Sequence, residues 1–213
     1  MITINKKFDE LPEEKRIKII NAAMEVFAKN DYKHAITDEI AAKAGISKGL
    51  LFFYFYNKIT LHTYLFDYAK EFLENEVIDT SYLEMTDFFE VLDYAAKRKM
   101  EIYAKYPYIM DFLYRIYLSG DKEISARVQE RTQQTINHMK DEYFRNIDFT
   151  KFKDDIDVTG IVNMLTWMTQ GYLYTKNKEG KPLDLKEMWK DYQIWSDMFK
   201  KMSYKEEMLD GCH

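Results

Sequence analysis

An all-α fold is what this sequence predicts, and three observations carry the prediction. Seven glycines and three prolines in 213 residues are under half of the roughly 12% that ordinary usage supplies, which leaves too few tight turns for a β-sandwich or barrel. Apolar residues recur at three- and four-residue spacing along most of the chain, the period of an amphipathic helix. Helix-capping residues stand where those periodic stretches begin. The same glycine scarcity excludes the nucleotide cradles, since no G-x-G-x-x-G or G-x-x-x-x-G-K-[ST] occurs.

The elements follow in order. Pro12, suited to the first helical position, precedes Glu13 and Glu14 at the positive end of a helix dipole. That helix is expected to run to about Asn30, with Ile17, Ile20, Ala23, Met24 and Phe27 on one apolar stripe. Thr37 is expected to N-cap a short helix that carries Ile40, Ala41 and Ala44 and ends at Gly45. Ser47 caps a third to about Phe53, and Asn57 a fourth through Leu61, Tyr64, Leu65, Tyr68 and Phe72. Two short helices joined by an Ala-Gly-Ile turn, after a longer one, are the outline of a helix-turn-helix. Further on, the capping-box pattern Ser81-Tyr-Leu-Glu84 is expected to open a helix to about Lys105, where Pro107 interrupts. Ser119-Gly120-Asp121 breaks the chain before a helix over about 121–146, and two more are expected over 154–177 and from Asp184 to about Met202. The reading divides the chain into a helix-turn-helix domain, 1–56, and a larger helical body, 57–213.

Composition bounds the function. The net charge is −5, but residues 1–60 hold ten Lys and Arg against eight Asp and Glu, a balance of +2 that leaves −7 for the remainder. A mildly basic head on an acidic body suits a nucleic-acid-reading module attached to something else. The longest apolar run, Leu50 to Tyr56, is far below the roughly 20 residues of a membrane span, and the first residues lack a signal-peptide stretch, so a cytoplasmic protein with no membrane partner is expected. The lone Cys212 excludes a disulfide within the chain. His34, His62, His138 and His213 are scattered without a metal or nucleophile motif, so no catalysis, metal or cofactor is expected.

Around one end of the helix pair, Thr37, Ser47, Lys48, Tyr54 and Lys58 supply hydroxyls and ammonium groups of the kind that meet phosphate oxygens. The run Thr37-Asp-Glu-Ile-Ala-Ala-Lys-Ala-Gly-Ile-Ser-Lys-Gly-Leu-Leu-Phe-Phe-Tyr-Phe-Tyr-Asn-Lys58, continuing to Leu61, resembles the DNA-binding domain of TetR-family transcriptional regulators, and Ile20 to Phe27 is similar to that family's first helix. The resemblance covers about residues 12–62. It implies that Thr37 and Lys58 touch phosphates and that Ser47, Lys48, Gly49 and Leu50 lie at the groove-facing start of the recognition helix. Phe53 and Tyr54 complete the expected DNA-binding set. The sequence departs from the family's pattern at Phe52, where a tyrosine hydroxyl is lost, at Phe53, often histidine, and at Ile59, usually acidic. These departures suit either weaker affinity for DNA or an apolar contact with thymine methyl groups.

For the body the resemblance implies a homodimer and a small-molecule effector whose arrival changes the spacing of two reading heads. The last two helices are the expected seam, through Val158, Ile161, Val162, Leu165, Met168 and Tyr172 and through Met188, Trp189, Tyr192, Trp195, Met198 and Phe199, with Gly160 and Gly171 allowing close approach. An apolar or aromatic effector is expected against Phe89, Tyr103, Met110, Tyr114, Tyr117, Met139, Tyr143 and Trp167, oriented by Asn163 and Gln170. Together these describe a repressor that binds a palindromic operator in double-stranded DNA and is released by ligand. The alternative is a helical small-molecule-binding or protein-interaction module that no longer reads DNA.

Overall fold

The chain begins with a helix absent from the sequence reading. The computed structural model describes residues 3–117, 119–128, 144–179 and 183–209, with the backbone alone at 117 and 177. The short α1 (Lys6–Asp9) is capped by Asn5, whose side chain accepts from the Lys7 amide, and it drives Phe8 into complete burial. Next come α2 (Glu13–Lys29), α3 (Thr37–Ala44), α4 (Lys48–Phe55) and α5 (Lys58–Val77). Pro12 precedes α2 rather than opening it: it takes the N-cap position in extended backbone, and its carbonyl accepts from Lys15 and Arg16. Ile19, Ala22 and Val26 are buried besides the expected stripe, because α2 packs against α3 and also against α8 (Pro107–Tyr117). A helix covered from two sides needs a wide apolar surface.

The described residues form two compact units. The first comprises 3–77 and 101–128, and the second 78–100 and 144–209. The first unit thus contains the helix-turn-helix together with α5, α8 and α9, described over 122–128, which Asp121 caps by accepting from Glu123 and Ile124. One core runs through it, from Phe8, Phe27, Leu51 and Phe55 to Leu65, Phe112 and Ile116.

The second unit holds α6 (Thr80–Glu84), Phe88–Met100 of α7 (Phe88–Lys105), α10 (Val158–Lys178) and α11 (Leu185–Ser203). Ser81 does not open the long helix. Asp79 caps α6 through the Tyr82 amide, the chain breaks, and Asp87 caps α7 through the Phe89 and Glu90 amides. Helix α10 starts at Val158, four residues later than expected, because 149–151 form a 3-10 turn and Phe152 makes an isolated antiparallel bridge to Tyr204. The Lys153 amide donates to the Ser203 carbonyl at 2.9 Å and that of Lys205 to Lys151 at 3.0 Å, which closes the bridge. Phe88, Phe89, Phe152 and Tyr204 pack there edge to face, with Phe152 and Tyr204 centroids 4.8 Å apart. No described helix is long and apolar enough to cross a membrane.

Asp87 ties this unit together. It accepts from Lys151 Nζ at 2.8 Å and faces Lys200 Nζ at 4.0 Å. Burial pushes its pKa up, but the Lys151 bond, the Glu90 amide and the Lys200 charge outweigh burial and hold the carboxyl below its usual range. Asp87→Ala removes a helix cap and leaves two lysines facing a buried gap, with an expected loss of about 2 kcal/mol. All three tryptophans lie in this unit, so a lower urea midpoint in tryptophan fluorescence is the readout, and an unchanged midpoint would show the cluster to be neutral.

Candidate nucleic-acid interface

The turn between α3 and α4 is built from local chemistry. Gly45 ends α3 in the left-handed region at φ 72°, where its amide reaches the Ala41 and Ala42 carbonyls and Ile46 donates back to Ala41. A side chain at this φ is strained. Ala41 and Ala44 are buried, so α3 lies close to its neighbours. Ser47 opens α4 in extended backbone, its Oγ accepting from the Leu50 amide at 3.1 Å. Thr37 is not the cap of α3. Ile36 holds that position in extended backbone, and Thr37 is the first helical residue, half-buried.

Helix α4 has two unlike faces. Leu51, Tyr54 and Phe55 point into the core, while Ser47, Lys48, Gly49, Leu50 and Phe53 are exposed, Phe53 to 51%. These five of the expected residues are brought together at one end and along one face of a single helix. Tyr54 is separated from them: its ring lies 5.5 Å from that of Phe8, inside the core. Lys58 is also turned inward. Its Nζ stands 4.8 Å from the centre of the Tyr32 ring and donates to the Lys33 carbonyl at 3.2 Å, and partial burial lowers its pKa. Lys48 remains at the surface in an ion pair with Asp38 at 2.8 Å. Exposed pairs of this kind contribute little, so the ammonium is free to exchange its partner for a phosphate.

Three residues at this interface escaped the sequence reading. The Asn5 amide donates to the Tyr54 carbonyl at 2.9 Å and its Nδ2 to Phe53 at 3.2 Å, so the chain before α1 satisfies carbonyls in the last turn of α4. Phe8 seals the same contact. Tyr56 ends α4 with φ 62° and ψ −51°, in a tight turn closed from the Asn57 amide to the Phe55 carbonyl, and its side chain is 54% exposed. That backbone is costly for a non-glycine residue and is held by the packed helices on either side. An asparagine followed at once by a lysine pair is too short a signal to announce α1, and nothing local marks Tyr56.

The expected effector residues are divided between the two units, and some lie outside the described residues. In the second unit Phe89 is a core residue, Gln170 is half-buried, and Asn163 and Trp167 lie on the exposed side of α10, Trp167 to 64%. In the first unit Tyr103, Met110 and Tyr114 are half-buried, and the Tyr103 hydroxyl donates to Asp111 at 2.9 Å. Met139, Tyr143 and the Tyr117 side chain lie outside the described residues. A small cavity of about 10 Å³, the room of one water, is lined by His62, Thr63, Phe66, Ile124, Arg127 and Val128, none of them in the expected set. Of the expected seam residues, Ile161, Leu165, Met188 and Tyr192 are buried in the unit's own core, and only Met168 and Met198 are exposed.

Known proteins resemble this one in two ways. The family model described as bacterial regulatory proteins, tetR family, matches residues 19–62, the stretch from within α2 to the start of α5. An HTH-type transcriptional activator FasR from Mycolicibacterium smegmatis is 41% identical over 59 residues, a match that spans 27% of this chain and 27% of that protein. The fatty acid degradation regulator FadR from Bacillus halodurans has the same fold with a TM-score of 0.69 at 20% identity, over 84% of this chain and 97% of that one. FadR from Bacillus subtilis, solved in complex with stearoyl-CoA, has a TM-score of 0.66 at 20% identity, over 84% and 96%.

Proposed function

We propose that this chain, whose residues 19–62 match the tetR family model, is a tetR-like cytoplasmic repressor that binds a palindromic operator as a dimer and is released by a small apolar or aromatic effector. The chain is a regulator and not an enzyme. One observation carries the DNA reading: Ser47, Lys48, Gly49, Leu50 and Phe53 share an exposed end and face of α4, behind a turn fixed by Gly45. In this reading residues 1–56 are the DNA-binding module, Thr37 and Lys48 hold phosphates, and residues 57–213 dimerise and sense. Lys58 meets phosphate only by leaving the Tyr32 ring.

Dimerisation through the last two helices is supported by apolar residues that the second unit leaves uncovered. Met164, Trp167, Met168 and Tyr174 recur at helical spacing on α10, with open space beside Gly171, and Ile194, Met198 and Met202 do so on α11. Two-fold pairing sets two reading heads at a fixed half-site spacing. A fatty-acyl thioester is the effector to test first, because the fold is shared with a FadR that holds stearoyl-CoA. Such a ligand releases DNA only by binding the DNA-incompetent spacing more tightly, since equal affinity for both shifts nothing.

The test is binding to intergenic duplex DNA flanking the protein's own coding region, titrated at several salt concentrations. A dimer with several phosphate contacts should lose roughly a thousand-fold in affinity between 50 and 200 mM salt. Lys48→Ala should weaken all sequences alike and reduce the salt slope by about one for each head. Light scattering should give twice the 25.7 kDa chain mass. Indifference to DNA at low salt, or a monomer at micromolar concentration, would overturn the respective part of the reading.

A further inference from the structure

The reading face of α4 has an unusual chemistry. From Ser47 to Tyr56 the chain contains no Arg, Asn, Gln, Asp or Glu. Those are the side chains, with lysine, that identify guanine, adenine and cytosine by hydrogen bonds to base edges. The remaining polar groups are largely engaged: Ser47 Oγ takes the Leu50 amide, Tyr54 is buried, and Lys48 Nζ is paired with Asp38 at 2.8 Å. Beyond Gly49 the outward-facing side chains are apolar apart from the Tyr56 hydroxyl. Leu50 is 36% exposed and Phe53 51%, three residues apart and so on the same side of the helix, with Tyr56 a further three residues on at 54%. Phe52, adjacent in sequence, is half-buried and leaves this face to Phe53.

At the head of this apolar stripe stand Lys48, whose exposed ion pair with Asp38 can open, and the N-terminal end of α4. That combination fits a partner with negative charge at its rim and an apolar group at its centre. In a DNA major groove the rim is phosphate, and the 5-methyl of thymine is the apolar group on a base edge. Gly49 assists, since a Cβ there would meet nothing nearer than Ser47 Oγ at 3.9 Å and the backbone stands open to close approach.

We infer that Leu50 and Phe53 determine the specificity of this regulator by packing on thymine 5-methyl groups, so that each operator half-site is read mainly through thymines at the positions α4 reaches. The inference rests on the DNA-binding reading above and adds to it the class of base contact. Lys48 and the start of α4 then hold the backbone without choosing sequence, and the two apolar side chains choose it.

The probe is a random-sequence duplex library, selected with the full chain at low salt. The enriched duplex is then remade with each thymine replaced in turn by deoxyuridine, which lacks only the methyl. Thymines should be enriched in both half-sites, and deoxyuridine at one or more of them should weaken binding by about three- to ten-fold. Phe53→Ala and Leu50→Ala, both at exposed positions, should lose a similar factor on the thymine duplex and respond little to deoxyuridine at the matching position. Selected DNA that is bound with steep salt dependence but is indifferent to deoxyuridine everywhere overturns this inference and leaves DNA binding intact. So does a half-site built on guanines whose recognition is lost in Lys48→Ala. No enrichment and no binding to the library overturns both readings.

Discussion

Phe8→Ala is expected to destabilise the first unit by about 4 kcal/mol and to abolish sequence-specific DNA binding, although Phe8 is four residues outside α2 and far from α4 in sequence. The side chain is fully buried, with ring centroids 5.5 Å from Tyr54, 4.7 Å from Phe55 and 5.6 Å from Tyr64. Removing the ring leaves a cavity among three aromatics that cannot all shift to fill it. It also loosens Asn5, whose amide and side chain satisfy the Tyr54 and Phe53 carbonyls at the end of α4. Hydrogen exchange is the readout, because this unit has no tryptophan. Faster exchange across α4 and α5 is expected, with most of the protection restored in Phe8→Leu. Wild-type protection of α4 in Phe8→Ala would show that α1 does not hold the reading helix.

Acid should unfold the same unit through His62. The imidazole is buried on α5, edge-on to Phe27 at 4.9 Å, Tyr32 at 5.1 Å and Phe112 at 5.0 Å. Burial first, and Lys58 one turn earlier second, push its pKa down to about 3, against the pull of Asp121. Arg127, across the small cavity, adds no compensating negative charge. The unfolded chain therefore takes up a proton near pH 6.5 that the folded chain refuses until about pH 3. Stability from this residue is complete above about pH 6.5 and is lost as the pH falls toward 3, by about 5 kcal/mol in all. Carboxylates contribute acid sensitivity of their own, so the comparison is with His62→Leu, of similar volume and without a titrating group. The urea midpoint of the wild type, followed by far-ultraviolet dichroism, should drop more steeply between pH 6.5 and pH 4 than that of the variant. Parallel pH profiles would refute the assignment.

The parts of the fold legible in the sequence are those governed by neighbouring residues. Gly45 in the left-handed region, Ser47 and Asn57 accepting from amides three residues on, Asp184 capping α11 and Pro107 interrupting the chain after α7 are all local arrangements that a few consecutive side chains specify. The candidate site was legible to the same extent: Ser47, Lys48, Gly49, Leu50 and Phe53 follow from where α4 starts. Three acidic or hydroxyl caps within nine residues, Asp79, Ser81 and Asp87, are locally equivalent, and only the packing of Phe88 and Phe89 against Phe152 and Tyr204 selects Asp79 and Asp87. The five-residue run around α1 is too short to display a helical period. Its position comes from Phe8 meeting rings more than forty residues away.

By itself, the sequence determined that the protein is helical, that residues 12–62 hold a helix-turn-helix, and that one short helix has Ser47, Lys48 and Leu50 at its start. Periodicity, caps and a tight turn are properties of adjacent residues, and they act before any long-range contact exists. Only the tertiary structure decided which apolar and charged groups remain at the surface. It turned Tyr54 and Lys58 inward, placed Phe89 in a core, and left Phe53, Trp167 and Met198 exposed. A helical stripe states that a face is apolar but not what covers it. Coverage depends on helices distant in sequence, and it is coverage that separates a core residue from one left free to meet DNA or a second subunit.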